Sequence, residues 1–183
     1  KRPATLLAGL LIGLIVPAAF IYFRDLLNTR VRSREDVKRM TTAPIIAEIL
    51  RSRHKETLVV NKYSRSAIAE QFRTLRTNLA FYLTDPNQKT ILLTSSMSGE
   101  GKSFIAINLA TVLAVTGKRV VVMEMDLRKP NISVKLNNPG NAGFTNYIVS
   151  PELAPMDIVL PSGINDNLFF ISSGPIPPNP AET

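Results

Sequence analysis

The stretch ILLTSSMSGEGKSF, residues 91–104, runs from apolar and hydroxyl residues into a Ser/Gly loop closed by Gly101, Lys102 and Ser103. Gly99 and Gly101 lack a Cβ, so the backbone there can wrap closely and aim several N–H groups at one point. A helix beginning at Lys102 adds the partial positive charge of its N-terminus at the same point. The Lys102 ammonium can reach β and γ phosphates, and the Ser103 hydroxyl can ligate a Mg²⁺ that bridges them. This is phosphate-binding chemistry, with Ser98, Gly99, Glu100, Gly101, Lys102, Ser103 and Phe104 as the candidate nucleotide residues. Ser96 stands where the usual pattern opens with glycine. The reading therefore rests on what flanks the loop.

A second group of chemical residues follows in VVMEMDLR. If this is a strand, alternation turns Glu124 and Asp126 the same way, beside the loop. Two carboxylates there can hold the metal or take a proton from an attacking hydroxyl, with Ser103, Glu124 and Asp126 as metal ligands. The bland alternative is a pair of solvent-facing acids at a strand end.

The elements that must position these groups are legible in outline. TILLTSS is an almost continuous apolar run, as expected for a central parallel strand covered on both faces. KSFIAINLATVLAVTG is apolar nearly all round, which predicts a buried helix stopped by Gly117. RVVVMEMD predicts a second buried strand. Strand, glycine loop, helix and strand make a right-handed βαβ unit, so the fold class is α/β, a P-loop NTPase-like parallel sheet with flanking helices.

Upstream, Ile68, Phe72, Leu75, Leu79 and Tyr82 fall on one narrow helical face, with Ser64 as N-cap and Asp85-Pro86 as the stop. Glu70, Arg73 and Arg76 form a charged stripe beside that face. It is either a solvated surface with a weak ion pair or a self-association surface. Ser33 and Asp36 mark the start of a short helix, REDVKRM. PIIAEIL is a short strand or an apolar patch.

At the N-terminal end, residues 4–23 are twenty in a row without charge, enough for a helix of about 30 Å across a bilayer. Phe-Ile-Tyr-Phe-Arg closes it where a signal peptide would carry small residues. Pro17 predicts a kink, and Gly9 with Gly13 allows close approach of two such helices. Arg24, Arg30, Arg32, Arg34, Lys38 and Arg39 follow at once, which places the C-terminal side in the cytoplasm and favours anionic lipid. The chain carries a formal charge of +8, yet lacks the aromatic and basic interleaving of a strand-binding groove, so nucleic acid is not expected. It has no cysteine and a single histidine, His54, which excludes thiolate chemistry and Ser-His-Asp triads. The resulting division is 1–3 periplasmic, 4–23 membrane helix, 24–62 basic linker and 63–183 nucleotide domain.

Taken in order, the apolar span with its basic tail, the E-x-x-R-x-x-R of Glu70, Arg73 and Arg76, the loop SSMSGEGKS, the motif VVMEMDLRKP and the later GPIPPNPAE resemble the bacterial tyrosine kinases attached to polysaccharide co-polymerases. The resemblance covers nearly the whole chain. It implies an inner-membrane protein with a cytoplasmic domain that uses ATP and Mg²⁺ to phosphorylate a C-terminal tyrosine cluster of a neighbouring subunit. It also implies ring-like assembly through Glu70, Arg73 and Arg76, and control of capsular or exopolysaccharide chain length together with polymerase and export machinery. Carried over, Lys102 would bind the β and γ phosphates, Ser103 and Asp126 would serve Mg²⁺, and Glu124 would stand where the hydroxyl-activating acid belongs. Arg128 completes the second motif.

Three departures accompany this resemblance. Glu124 replaces the usual Asp, Ser98 a common proline, and Met97 the signature lysine of the wider deviant-loop ATPases. The family's first span would precede Lys1, and its third acidic motif and tyrosines would follow Thr183. Two alternatives remain open at this point: a non-catalytic nucleotide-binding co-polymerase subunit, and a ParA- or MinD-like ATPase.

Overall fold

The computed structural model describes residues 2–27, 31, 33–52, 56–85, 87–136 and 142–179. It divides into two compact units, one up to Ile45 and one from Ile46 onward. Arg30, Arg32, His54, Pro86 and the end of the Pro-rich run from residue 180 lie outside the described residues.

In the first unit, α1 (Arg2–Leu26) is a 25-residue helix that runs continuously through Pro17. Its stretch Gly9–Leu26 is long and apolar enough to cross a membrane, and none of it is buried within the protein. Arg24 sits in its last turn, where a cation complements the partial negative charge of the helix end. α2 (Arg34–Met40) matches the expected REDVKRM segment. The Ser33 Oγ accepts from the Asp36 N–H at 3.2 Å, and the Asp36 carboxylate accepts from the Ser33 N–H at 2.9 Å. This reciprocal cap satisfies two of the donors that a helix start leaves unpaired.

The second unit is built around α4 (Lys102–Ala114), which has protein on two sides. On one side it meets α3 (Ala67–Tyr82), where Val60, Ala69, Phe72, Leu109 and Val112 form the main core. Phe72 and Phe104 pack edge to face there, with ring centroids 5.7 Å apart. On the other side Ala110 and Ala114 pack with Leu168, and with Val120 and Val122 of β1 (Val120–Met123). Contact on both sides is the reason this helix is apolar almost all round.

α3 starts two residues later than expected. Ser66 is its N-cap, its hydroxyl accepting from the Ala69 N–H. The Ser64 hydroxyl instead closes the preceding turn by accepting from the Asn61 N–H at 2.9 Å. Ile68, Phe72, Leu75 and Leu79 face the core as the spacing predicts, whereas Tyr82 is exposed. PIIAEIL forms no strand. It runs along α3, with the Ile46 carbonyl accepting from Asn78 and the Leu50 N–H donating to Gln71, and Ile49 reaches the core. Val59 and Val60 also join that core, and they lie with Ile49 in the second unit.

The sheet has three strands in the order β1-β3-β2. β1 pairs in parallel with β3 (Leu168–Ile171), Val120 opposite Leu168. β2 (Leu160–Pro161) runs antiparallel to β3, so the sheet is mixed rather than wholly parallel. Two expectations are corrected here. TILLTSS forms no strand: it joins no ladder, and Leu92 is 84% exposed. A ladder needs a neighbouring strand edge, and none lies beside residues 90–95 among the described residues. β1 is covered on one face only, with Val121 and Met123 exposed on the side away from α4.

Between β1 and β3 lie α5 (Ile132–Lys135), α6 (Phe144–Val149) and a 3₁₀ turn, Pro155–Ile158. α6 is held against the end of β3 by backbone bonds from Phe144 N–H to the Ser172 carbonyl and from Thr145 N–H to the Ser173 carbonyl. Gly143 and Gly174 meet where these segments pass. A Cβ on Gly143 would overlap the Gly174 nitrogen, and a Cβ on Gly174 would overlap the Thr145 hydroxyl.

Candidate functional site

The loop preceding α4 is closed by its own side chains. The Glu100 carboxylate accepts from the Met97 N–H at 3.1 Å, and the Ser95 hydroxyl donates to the Met97 carbonyl at 3.2 Å. Gly99 and Gly101 have φ of 90° and 99°, values that a residue with a Cβ rarely adopts. No atom lies within 4 Å of where a Cβ would stand on either, so the loop is open on that side. Gly101 is the N-cap of α4 and supplies no side-chain cap. The first N–H groups of the helix therefore lack the usual side-chain acceptor, at the positive end of the helix dipole.

Lys102 is placed at that positive end, an unfavourable position for a cation unless an anion answers it. Asp126 does so: its carboxylate accepts from the Lys102 ammonium at 2.8 Å. The other carboxylate oxygen accepts from the Lys129 N–H at 3.1 Å. These donors, Lys102 first, hold the Asp126 carboxyl below the ordinary carboxylate range, against a smaller opposing push from partial burial. The pair bridges the loop and the end of β1 and brings two of the expected site residues together. Ser103 follows on the first turn of α4, and Arg128 is exposed on the loop after β1. The Phe104 ring turns into the core against Phe72.

Glu124 is elsewhere. It is 2% exposed, and its carboxylate accepts from the backbone N–H groups of Asn131, Ile132 and Ser133 and from the Ser133 hydroxyl. Glu124 and Asp126 thus have separate partners, the first the amides of residues 131–133 and the second Lys102 and the Lys129 N–H. The alternation runs on past β1: the Glu124 N–H still donates to the Ile171 carbonyl, and Glu124 and Asp126 are both less exposed than Met123 and Met125. Among the described residues no three acidic, His or Cys side chains gather to hold a metal. The donors suited to Mg²⁺ beside the loop are the Ser103 hydroxyl and the Asp126 carboxylate, and a bound nucleotide would supply the rest as phosphate oxygens.

On α3, Glu70 pairs with Arg73, and Arg73 also donates to the Ser64 carbonyl at 2.6 Å. The stripe is thus partly used within the chain, Arg73 bracing the entry to its own helix.

Sequence reasoning passed over Asn108. It is 0% exposed, midway along α4, and all its capacity is used. Its amide oxygen accepts from the Val59 and Val60 N–H groups at 2.8 and 3.2 Å, and its NH₂ donates to the Thr57 and Phe104 carbonyls at 2.8 and 2.9 Å. One side chain thereby ties the segment before α3 to the helix that presents Lys102. A lone amide in an otherwise apolar helix was the available signal, since a buried polar group needs partners.

Residues 91–157 match the CobQ/CobB/MinD/ParA nucleotide binding domain family. The chain is 37% identical over 131 residues to "Tyrosine-protein kinase YwqD" of Bacillus subtilis (strain 168), a match covering 72% of this chain and 54% of that protein. It is 27% identical over 200 residues to "Tyrosine-protein kinase wzc" of Salmonella typhi, covering 100% of this chain and 27% of that one. In structure it resembles the chimerical protein CapA2B2, with a TM-score of 0.67 and 32% identity over 82% of this chain and 64% of that chain. The chain thus spans about half the length of the Bacillus kinase and a smaller share of the Salmonella one. In sequence and in fold, the chain is similar to bacterial tyrosine-protein kinases.

Proposed function

We propose that this chain is the membrane-proximal part of an ATP-dependent protein-tyrosine kinase that controls capsular or exopolysaccharide synthesis and export. The observation that carries the reading is the Lys102–Asp126 pair set against an α4 N-terminus that has no side-chain cap. Such an arrangement offers a triphosphate both backbone donors and a charged one, while Asp126 is placed to accept a cation once Lys102 turns to phosphate. Bound Mg²⁺ would neutralise charge on the transferring phosphoryl group. In this reading Lys102 holds the β and γ phosphates, Ser103 and Asp126 serve Mg²⁺, and Arg128 lies beside the nucleotide.

α1 anchors the protein in the bacterial inner membrane with the nucleotide domain in the cytoplasm. Glu70, Arg73 and Arg76 lie at contacts of a ring-like homo-oligomer, and the polymerase and export machinery is the partner. The direct test is incubation of the full-length parent protein with labelled ATP and Mg²⁺. Phosphotyrosine is expected from the parent protein and not from Lys102→Ala; equal labelling of the two would end the proposal.

One observation favours a second reading, a nucleotide-binding co-polymerase subunit without phosphotransfer. Glu124, at the position of the hydroxyl-activating acid, is buried and engaged. Magnesium-dependent nucleotide binding without labelling, with polymer length still dependent on the protein, would select it.

A further inference from the structure

Glu124 has a role of its own. A carboxylate that is 2% exposed and accepts from three backbone N–H groups and one hydroxyl has its lone pairs committed inside the protein. Its backbone is fixed as well, because the Glu124 N–H donates to the Ile171 carbonyl of β3 at 3.0 Å. Eight residues after Glu124 the chain reaches Ile132, whose N–H lies 2.6 Å from the Glu124 carboxylate. The loop between them is therefore closed at its base by Glu124. At its tip, Asp126 receives the Lys129 N–H and meets Lys102.

We propose that Glu124 is a positioning residue whose buried carboxylate clamps the amides of residues 131–133 and thereby sets where Asp126 stands relative to Lys102. The clamp works through acceptor geometry rather than through a proton or a metal. Both oxygens are needed: one takes the Asn131 and Ile132 amides, the other the Ser133 amide and hydroxyl. Reach matters too, because an aspartate is shorter by one methylene, about 1.5 Å, and would leave the amides of 131–133 unpaired. A glutamine keeps the length and one carbonyl oxygen for the Asn131 and Ile132 amides, while its NH₂ faces the Ser133 amide, a donor it cannot pair with. The clamp does not depend on the nucleotide, but its consequence for nucleotide binding rests on the proposed function above.

The test compares Glu124→Gln, Glu124→Asp and Glu124→Ala in the full 183-residue chain in detergent. Hydrogen exchange of the amides of residues 131–133 and the affinity for a fluorescent adenine nucleotide with Mg²⁺ are both measured. Amide protection is expected to rank Glu, then Gln, then Asp and Ala, with a loss of at least about tenfold in Asp and Ala and unchanged protection in α4. Nucleotide affinity follows the same ranking. Asp outranking Gln in both measurements marks a charge-bearing catalytic or metal role and overturns the proposal, as does unchanged protection of residues 131–133 in Glu124→Ala. Should Glu124→Ala fail to fold, the order of Gln and Asp decides alone. If the protection ranking holds while the unmodified chain binds no nucleotide, the clamp stands and the nucleotide reading falls.

Discussion

α1 and α4 are both apolar on nearly every face, yet one is bare and the other is the centre of a domain. α1 has 25 residues and a length of about 38 Å, and its large side chains, such as Leu10, Leu14 and Phe20, are exposed. α4 has 13 residues and a length of about 20 Å, with an unbroken buried run from Ile107 to Val112. Apolarity by itself does not separate them. Length does, and so do the polar groups each can tolerate. α4 carries Asn108 and Thr111 at its centre, the first bonded to four backbone groups and the second to the Ile107 carbonyl. α1 keeps its charged residues to its two ends, Arg2 in the first turn and Arg24 and Asp25 in the last. A helix with partnered polar atoms inside belongs to a protein interior, and one that reserves charge for its ends fits a bilayer.

The sharpest way to break this comparison is to place the same charge in both helices. Val112→Asp puts a carboxylate into the core and is expected to abolish cooperative thermal unfolding of the domain. Leu14→Asp, at the middle of α1, leaves the domain's melting intact but weakens membrane retention by about 2.5–3.5 kcal/mol, read by alkaline extraction of membranes. Equal damage to the domain melt from both would erase the distinction.

Asn108→Leu makes α4 as uniformly apolar as α1. It strands the Val59 and Val60 amides and the Thr57 carbonyl, at about 1–3 kcal/mol for each group left unpaired. Denaturant titration should show the midpoint fall, with the residue 57–60 amides losing exchange protection first. A stable Asn108→Leu domain would mean that packing alone holds α4.

The two helices also differ in charge at their ends, and acid sharpens that difference. Because the Asp126 carboxyl is held below its ordinary value of about 3.9, the pairing with Lys102 contributes fully above that pH. It is lost as pH falls through the depressed folded-state value, leaving Lys102 unanswered at the positive end of α4. Asp126→Asn should remove this part of the acid dependence, measured as the difference in unfolding midpoint between pH 7 and the acid limb. The smallest effect belongs to α2, which buries nothing and depends on its cap. Ser33→Ala should cost about 1 kcal/mol of local helix stability, seen as faster exchange at the Asp36 amide.

Legibility in the sequence followed locality. The α2 cap and the core face of α3 are written within one or two turns, and both were readable. The N-cap of α3 was misplaced by two residues because Ser64 and Ser66 are equally good hydroxyls, and only the Asn61 turn distinguishes them. The glycine loop and Lys102 were readable from residue type, since positive φ and an open approach require glycine. The strand expected at TILLTSS was not, because a ladder depends on a neighbouring edge far away in sequence. The partners of Glu124 were hidden for a related reason: alternation gives a direction, and the carboxylate bonds to backbone seven to nine residues on.

The crossing of Gly143 and Gly174 carries a consequence for how this domain can change over generations. A methyl group on Gly143 would meet the backbone of Gly174 and Ser172, and one on Gly174 would meet the Thr145 and Asn146 side chains at a positive φ that a Cβ disfavours. Residues around the crossing are free to drift in identity, but its spacing is not. Diversity in this part of the protein should therefore accumulate as altered side chains on the outer surface of α6, at Tyr147, Ile148 and Val149, while the path of the chain stays the same.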